Sequence, residues 1–464
     1  MKLTNFTCGP EDVNKIHQAS IQILEKKGVE LHNDKALEIL AGHGAKITGK
    51  VACLPGEMVE KAFETTPSKF TIRGRDRKYD FEIGSGRSCY CVPNGPVFIK
   101  KGDEYYSSTH KDVIDFIKLA ETSPTINMLS PWITTANDVP EEKQLAYQLA
   151  VMLRYTSKPV MGLTAGYEKS KFSIELIRDL YEDRASYVAL GLISPMSPLV
   201  YDDRMLEATI AYAEENQPLF FSSAVLPGVT GPVTMAGAIA LANAEVLTGI
   251  VLSQLVRPGV PVIYGNAGGS ADLRYVVPSI GTPEAALVAI YTRGLASKYG
   301  VPCRAGGALS DAKKCDMQAG LEATLVMLST VLSGQDFVLH GAGILDSYNI
   351  ISYDKFLMDE EMTLMCERIR GGVTVDDDTL ALEVINKVNH GAQFLMEKHT
   401  VKNMKKSLHT PKFMERGFYP NWHKAGEPSA SDNALKAVEG RLAAYELPEL
   451  TDRQMTLLQP YLEF

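Results

Sequence analysis

From about residue 86 the chain alternates between two textures. Short apolar runs ending in Gly, Ser, Thr or Asn are separated by amphipathic segments of helix length, which predicts repeated βα units around a parallel sheet. Eight runs fit: SCYCVPN, INMLSPWIT, KPVMGLT, YVALGLIS, PLFFSSA, VPVIYGN, VPCRAGG and DFVLHGAG. Proline or glycine restarts several of them, at Lys158-Pro159, Gln217-Pro218, Gly259-Val260-Pro261 and Gly300-Val301-Pro302. Thr282, Pro283 and Glu284 read as N-cap, first-turn proline and dipole-compensating acid of a helix running on through AALVAIYTRGLASKYG. Eight parallel strands with outer helices make a (β/α)8 TIM barrel, an α/β fold that occupies about 250 residues. An open doubly wound sheet is the alternative, but no G-x-G-x-x-G follows the first strand.

The flanks break this rhythm. Val13, Ile16, Ile21, Ile23 and Leu24 recur at helical spacing, whereas about 70 to 107 is made of short alternating pieces with turn signals at Asn94-Gly95 and Lys101-Gly102-Asp103. The expected organisation is an N-terminal helical and β-hairpin cap (1–85), the barrel (86–371) and a C-terminal helical extension (372–464). The last helices carry polar faces that suit packing on the barrel or on another subunit, so a homo-oligomer is expected.

Composition narrows the class. With 464 residues, 45% hydrophobic and 22% charged, the chain is that of an ordinary globular protein with a large core. A net charge of −9 lacks the positive field that attracts nucleic acid or anionic membrane. The opening MKLTNFTCGPEDVNK has no apolar run of signal type, and the stretch from Met235 to Val256 is interrupted by Asn243, Glu245 and Gln254, as in a buried helix. Seven scattered cysteines read as reduced thiols of a cytoplasmic protein. Cys89-x-Cys91 lacks the spacing of a zinc site, and neither HExxH nor paired CxxC occurs, so no bound metal is expected.

In a barrel, the site lies at the C-terminal ends of the strands. That places Tyr90, Asn94, Trp132, Thr134, Thr164, Ser194, Ser222, Ser223, Tyr264, Asn266, Arg304 and His340 around the mouth, with Asp311 and Asp346 as the nearest acids. Tyr90 and Tyr264 serve equally well as packing. Arg304 would enter the barrel interior, where a guanidinium needs an anion: Asp311, a loop away, or a ligand carboxylate. Gly341-Ala342-Gly343 behind His340 leaves backbone N–H groups for a ligand. Cys303 beside Arg304 could be a thiolate, but strand alternation sends the two side chains to opposite faces. There is no G-x-S-x-G elbow, P-loop or kinase motif set.

The runs VIYGN, GTPEAAL, VPCRAGGALSDAKKCDMQAG and FVLHGAG, in that order, resemble the trimethylamine methyltransferase superfamily. Members move a methyl group from an amine to the cobalt of a separate corrinoid protein. No pyrrolysine is present, so the resemblance is to the pyrrolysine-free branch acting on quaternary amines such as glycine betaine, proline betaine, carnitine and butyrobetaine. It implies no tightly bound cofactor, a corrinoid (cobalamin) supplied by the partner, and no proton-transfer residue, because a quaternary nitrogen leaves as a neutral tertiary amine. The site residues implied are Tyr90, Trp132 and Tyr264 around the ammonium and Arg304 or His340 on the carboxylate, with Asn94, Asn266, Asp311, Gly341, Gly343 and Asp346 completing it. A betaine-binding sensor, or a corrinoid methyltransferase for another donor such as trimethylamine, would keep the same barrel.

Overall fold

A computed structural model describes residues 6–464. All eight apolar runs form strands: β1 (Cys89–Cys91), β2 (Ile126–Met128), β3 (Val160–Met161), β4 (Ala189–Ile193), β5 (Leu219–Ser223), β6 (Val262–Asn266), β7 (Cys303–Gly306) and β8 (Phe337–Leu339). Each pairs in parallel with its neighbours, β8 pairs with β1, and a parallel bridge between Leu129 and Val160 links β2 to β3, so the sheet closes into a barrel. Eight helices alternate with them: α1 (His110–Glu121), α2 (Glu141–Tyr155), α3 (Tyr167–Tyr181), α4 (Asp203–Glu214), α5 (Met235–Val256), α6 (Pro283–Tyr299), α7 (Met317–Ser333) and α8 (Tyr353–Arg370).

Local chemistry sets the boundaries. The α6 start reads as expected, with the Thr282 side chain accepting from the Ala285 N–H and Pro283 in the first turn, and Gly300 at φ 70° ends the helix. The turn at Gly102 (φ 56°) joins Phe98–Lys101 to Glu104–Ser107 as an antiparallel hairpin. This hairpin lies between β1 and α1. It pairs in parallel with Ile350–Ser352, which in turn pairs with Ile344–Leu345, so one small sheet ties the loop after β1 to the loop after β8.

Helix α5 is apolar on all sides and almost wholly buried, which one barrel face cannot explain. The N-terminal helices Pro10–Lys26 and Gly56–Glu64 pack on its outer side. A buried polar cluster pins them: Ser20 Oγ donates to the Ala240 carbonyl, Asn243 Nδ2 to Ser20 Oγ, and His17 Nδ1 lies 3.0 Å from Tyr299 Oη. Strand Val29–Leu31 pairs in parallel with Val200–Tyr201 of the loop after β4. The N-terminal segment thus buttresses the side of the barrel. At the other terminus, helix Ala430–Ala443 lies along α8, where the Arg441 guanidinium grips Glu360, and Asp452–Leu458 lies along α3.

Candidate active site at the barrel mouth

Strand alternation decides which side chains can meet a ligand. Across the lumen the rings of Phe220 and Phe337 approach to 5.2 Å, and Cys91 Sγ lies 3.7 Å from Met161 Sδ, so these positions face inward. Arg304 shares that face: a Cβ added at Gly265 on β6 would sit 3.2 Å from Arg304 Cδ. Its neighbour Cys303 faces the helices, hydrogen-bonded to Arg293 and Asp336, with its thiol pushed up to about 12 by burial.

Two of the three aromatic positions expected around an ammonium face outward as well. The Tyr90 hydroxyl donates to Glu367 on α8, and the Tyr264 hydroxyl donates to Asn243 on α5 (2.8 Å) with its ring against Tyr299. Both rings fill the layer between barrel and helices. The reason is register: in a parallel barrel strand one residue in two reaches the lumen, and Cys91 and Gly265 take that side.

The acids and glycines also have structural work. Asp311 accepts from the N–H groups of Ile280 and Gly281 and from Ser347 Oγ, which ties three mouth loops together and leaves Arg304 without it. Asp346 pairs with Lys313. The Gly341 N–H donates to the Cys91 carbonyl (2.8 Å) and the Gly343 N–H to Asp359 Oδ2 (2.7 Å), so neither is free for a ligand. Gly343 at φ 87° instead permits a tight fold over Ile351 and Phe356.

What remains at the mouth is compact. Arg304 is fully buried; its Nη1 donates to Ser222 Oγ (3.3 Å) and to the carbonyl of Asn266 (3.0 Å), while its Nε has no partner. Among the described residues no carboxylate lies within ion-pair distance of it. Desolvation therefore lowers its pKa to about 10, and it stays charged at neutral pH. The Asn266 side chain accepts from the Gly268 N–H (2.7 Å) and shapes the loop beside it.

Above this guanidinium sits His340. It is buried with its pKa well below the usual value, first through desolvation and then through the Arg304 charge, and is therefore neutral. The Asn94 N–H points at its Nδ1 (3.4 Å), which makes Nδ1 the acceptor and leaves the proton on Nε2. Asn94 Oδ1 accepts from Ser130 Oγ (2.6 Å), Ser130 Oγ accepts from the Trp132 N–H (3.1 Å), and the Trp132 carbonyl accepts from the Gly95 N–H (2.7 Å). The ends of β1, β2 and β8 are thereby locked together, with the half-buried Trp132 at their edge.

One aromatic at the mouth was not expected from the sequence. Tyr348 packs against His340 with the two rings tilted by 44° and their centroids 4.6 Å apart, and its hydroxyl, held at about 12 by burial, is close enough to feel the Arg304 charge. It lies in a run of left-handed residues, Asp346 (φ 49°), Ser347 (φ 51°) and Tyr348 (φ 81°), while His340 itself has φ 60°. Such backbone costs on the order of 1 to 3 kcal/mol per residue and clusters where a site must be pre-formed. The signal in the sequence was faint: an aromatic placed in a turn between two apolar pairs, GILDSYNII.

A cavity of about 1060 Å³ lies at the opposite end of the barrel, by Tyr79, Glu121 and Lys158. There the Lys158 ammonium is spent on the carbonyls of Ala120, Ser123 and Ile126, which marks that end as structural.

Residues 4–463 match the family model described as trimethylamine methyltransferase (MTTB). The glycine betaine methyltransferase of Desulfitobacterium hafniense (strain Y51) is 38% identical over 89% of this chain and 88% of its own. The proline betaine:corrinoid and L-carnitine:corrinoid methyltransferases of Eubacterium limosum are 31% and 32% identical, covering 97% and 98% of this chain and 96% of each relative. The crystal structure of the Methanosarcina barkeri monomethylamine methyltransferase aligns with a TM-score of 0.57 over 97% of this chain and 90% of that one; at 11% identity this is a likeness of fold.

Proposed function

Because the chain belongs to the trimethylamine methyltransferase (MTTB) family, we propose that its barrel mouth holds a betaine whose N-methyl group passes to the cobalt of a partner corrinoid protein. The single observation that carries the substrate class is Arg304, a buried guanidinium with an unpartnered Nε and no carboxylate beside it. A ligand carboxylate on the Nε edge would restore the missing charge balance in a low-dielectric site, where charge-assisted bidentate contacts are strongest. Trimethylamine has no group for that position. The betaines do.

Depth orders the rest. Arg304 lies on β7 and its headgroup points towards the strand ends, so a carboxylate bound there leaves the ammonium higher, among Trp132, Tyr348 and His340. An aromatic face contributes about 0.5 to 2 kcal/mol to a cation. Neutral His340 adds an Nε2–H donor without adding a repelling charge. Asn94 and Ser130 hold His340 and Trp132 in place, and Asp311 holds the Tyr348 loop through Ser347.

The corrinoid of the partner supplies Co(I), a nucleophile strong enough to take a methyl group from a quaternary nitrogen. This chain then needs no acid or base, since the amine departs neutral; it must aim the N-methyl outward and exclude water. A site walled by indole, phenol and neutral imidazole suits that task. The ammonium charge vanishes during transfer, so a strong cage would hold the substrate better than the transition state. Two partly exposed aromatic rings and a deep carboxylate anchor avoid that penalty. The same reading places the protein in the cytoplasm, where its seven unpaired cysteines stay reduced.

Titration calorimetry with glycine betaine, proline betaine, carnitine, tetramethylammonium and trimethylamine tests the substrate class. At least one betaine should bind tightly and the two carboxylate-free amines weakly. Equal affinity for tetramethylammonium would remove Arg304 from recognition, and binding without methyl transfer to a corrinoid protein would make the chain a sensor.

A further inference from the structure

Helix α8 carries a buried ion pair that does nothing for the helix itself. Lys355 Nζ lies 2.6 Å from Asp359 Oδ2, and both side chains are shut away from solvent. Ser352 caps the helix, so Lys355 stands in the first turn, where the helix dipole disfavours a cation, and a lysine four residues before an acid is the weaker order for such a pair. Desolvation of the two charges offsets their attraction, and burial pushes the Asp359 carboxyl up to about 6 in spite of the ammonium beside it. Well-packed apolar residues would seat α8 at least as firmly. The other buried acid of this turn, Asp354, is occupied elsewhere, accepting from Ser352 Oγ and Ser431 Oγ.

What the pair holds is the turn that carries His340. Lys355 Nζ donates to the Ala308 carbonyl in the loop after β7 (3.2 Å), and Asp359 Oδ2 accepts from the Gly343 N–H in the loop after β8 (2.7 Å). The Ala308 N–H in turn donates to the His340 carbonyl (2.9 Å). A path of contacts therefore runs from His340 through Ala308, Lys355 and Asp359 to Gly343, and the backbone from Gly343 back to His340 closes it into a ring. Within that ring His340 takes φ 60°, a left-handed conformation that a residue with a Cβ keeps only where its surroundings over-determine it.

We propose that Lys355 and Asp359 are a positioning pair: by clamping Ala308 and Gly343 they fix His340 in its left-handed turn and aim its Nε2–H at the bound betaine. This rests on the role in betaine binding given to His340 above. Charged head groups serve here because each must hold a backbone atom and its partner at the same time, which sets a direction that apolar packing does not; buried ionic groups are kept for such specificity rather than for stability. The pair acts through the imidazole and not on the substrate.

Two double variants separate this from a plain bracing role. Lys355→Met with Asp359→Leu removes both clamps without stranding a charge, and a cavity of about 310 Å³ lined by Asp359, Met358, Met362 and Met414 gives the leucine room. Lys355→Met with Asp359→Asn keeps an acceptor for the Gly343 N–H and is the milder change. Three quantities are read: unfolding by denaturant, the ring-nitrogen resonances of His340 in the nitrogen-15-labelled, ligand-free protein, assigned by their loss in His340→Ala, and the Kd of glycine betaine. Both variants should unfold near the midpoint of the parent. The His340 signals should move from a single Nε2-protonated tautomer towards a mixture in the leucine variant, with Kd raised about tenfold, the worth of one hydrogen bond, and the asparagine variant should recover part of each. Placed on His340→Ala, neither pair of substitutions should weaken binding further. Unchanged His340 signals in a folded variant overturn the proposal, as does a further tenfold loss on the His340→Ala background, which a general brace would give. Failure of both variants to fold makes the pair a brace and overturns it too. If the signals move but His340→Ala leaves the Kd as it was, the clamp on His340 stands and its role in betaine binding falls.

Discussion

Arg304→Met separates the two things a buried arginine can do. If the guanidinium were half of a structural ion pair, its loss would strand a buried carboxylate and destabilise the fold by roughly 3 to 5 kcal/mol. Among the described residues its only hydrogen-bond partners are Ser222 Oγ and the Asn266 carbonyl, both neutral, and its Nε is unsatisfied. Losing those two bonds is set against relief of an uncompensated buried charge, so the unfolding free energy of the ligand-free protein should change by less than about 1 kcal/mol. Betaine binding should respond very differently. Removing one member of a desolvated charge pair costs about 2 to 5 kcal/mol, a loss of affinity from roughly 30-fold to several thousand-fold. The assay pairs denaturant unfolding with calorimetry. Betaine at one hundred times its Kd should add about 2.7 kcal/mol of stability to the parent protein, and at the same concentration should add almost nothing to the variant. Arg304→Lys should lie between them, because it keeps the charge but not the fork. Tetramethylammonium, which has no carboxylate, should bind parent and variant alike. Destabilisation above 3 kcal/mol, or an unchanged betaine Kd, would refute the assignment.

Other side chains give sharper local tests. Trp132→Ala and Tyr348→Ala should each weaken betaine binding by about 0.5 to 2 kcal/mol, whereas Tyr348→Phe, which keeps the ring, should bind nearly as the parent does; a greater loss for Phe than for Ala would contradict a cation contact. Tyr264→Phe should leave kcat and KM unchanged and lower stability by about 1 to 2 kcal/mol, through the buried Asn243 amide left with one partner fewer; a raised KM would return Tyr264 to the site. His340 is held neutral in the fold by a depressed pKa, so the unfolded chain binds the extra proton and stability falls as pH drops below the unfolded value of about 6.5. Between pH 7.5 and 5.5 the parent should lose about 1.4 kcal/mol relative to His340→Gln, measured by paired denaturant titrations, and parallel pH profiles would mean that the imidazole titrates alike in the folded and the unfolded chain.

The barrel was legible in the sequence because each strand is an apolar run bounded by Pro, Gly or a small polar residue, and because hydrophobic periodicity changes where strand gives way to helix. Arg304 and His340 were legible as polar groups that terminate or interrupt such runs. What the pattern could not settle was the side on which each residue of a three- to five-residue strand falls. Tyr90 and Tyr264 read as mouth aromatics but take the outward side, fixed by closure of the whole barrel rather than by local sequence. Asp311 looked like a counter-ion by proximity along the chain; two neighbouring loops take its oxygens with their N–H and O–H groups. Tyr348 was hidden because its placement depends on consecutive left-handed residues outside glycine, a conformation sequence preference argues against. The N-terminal helices read as a cap, and their seat on α5 follows from a helix too apolar to face solvent on any side.

The most direct test of the central claim is transfer of a labelled methyl group. The protein would be mixed anaerobically with a betaine trideuterated in every N-methyl group and a corrinoid protein reduced to Co(I), and the products followed by mass spectrometry and cobalt absorbance. The expected result is stoichiometric appearance of the demethylated tertiary amine and of the labelled methyl on cobalt, lost in Arg304→Met at substrate concentrations that saturate the parent. Demethylation of trimethylamine with no betaine turned over, or betaine binding with no methyl ever reaching cobalt, would contradict it.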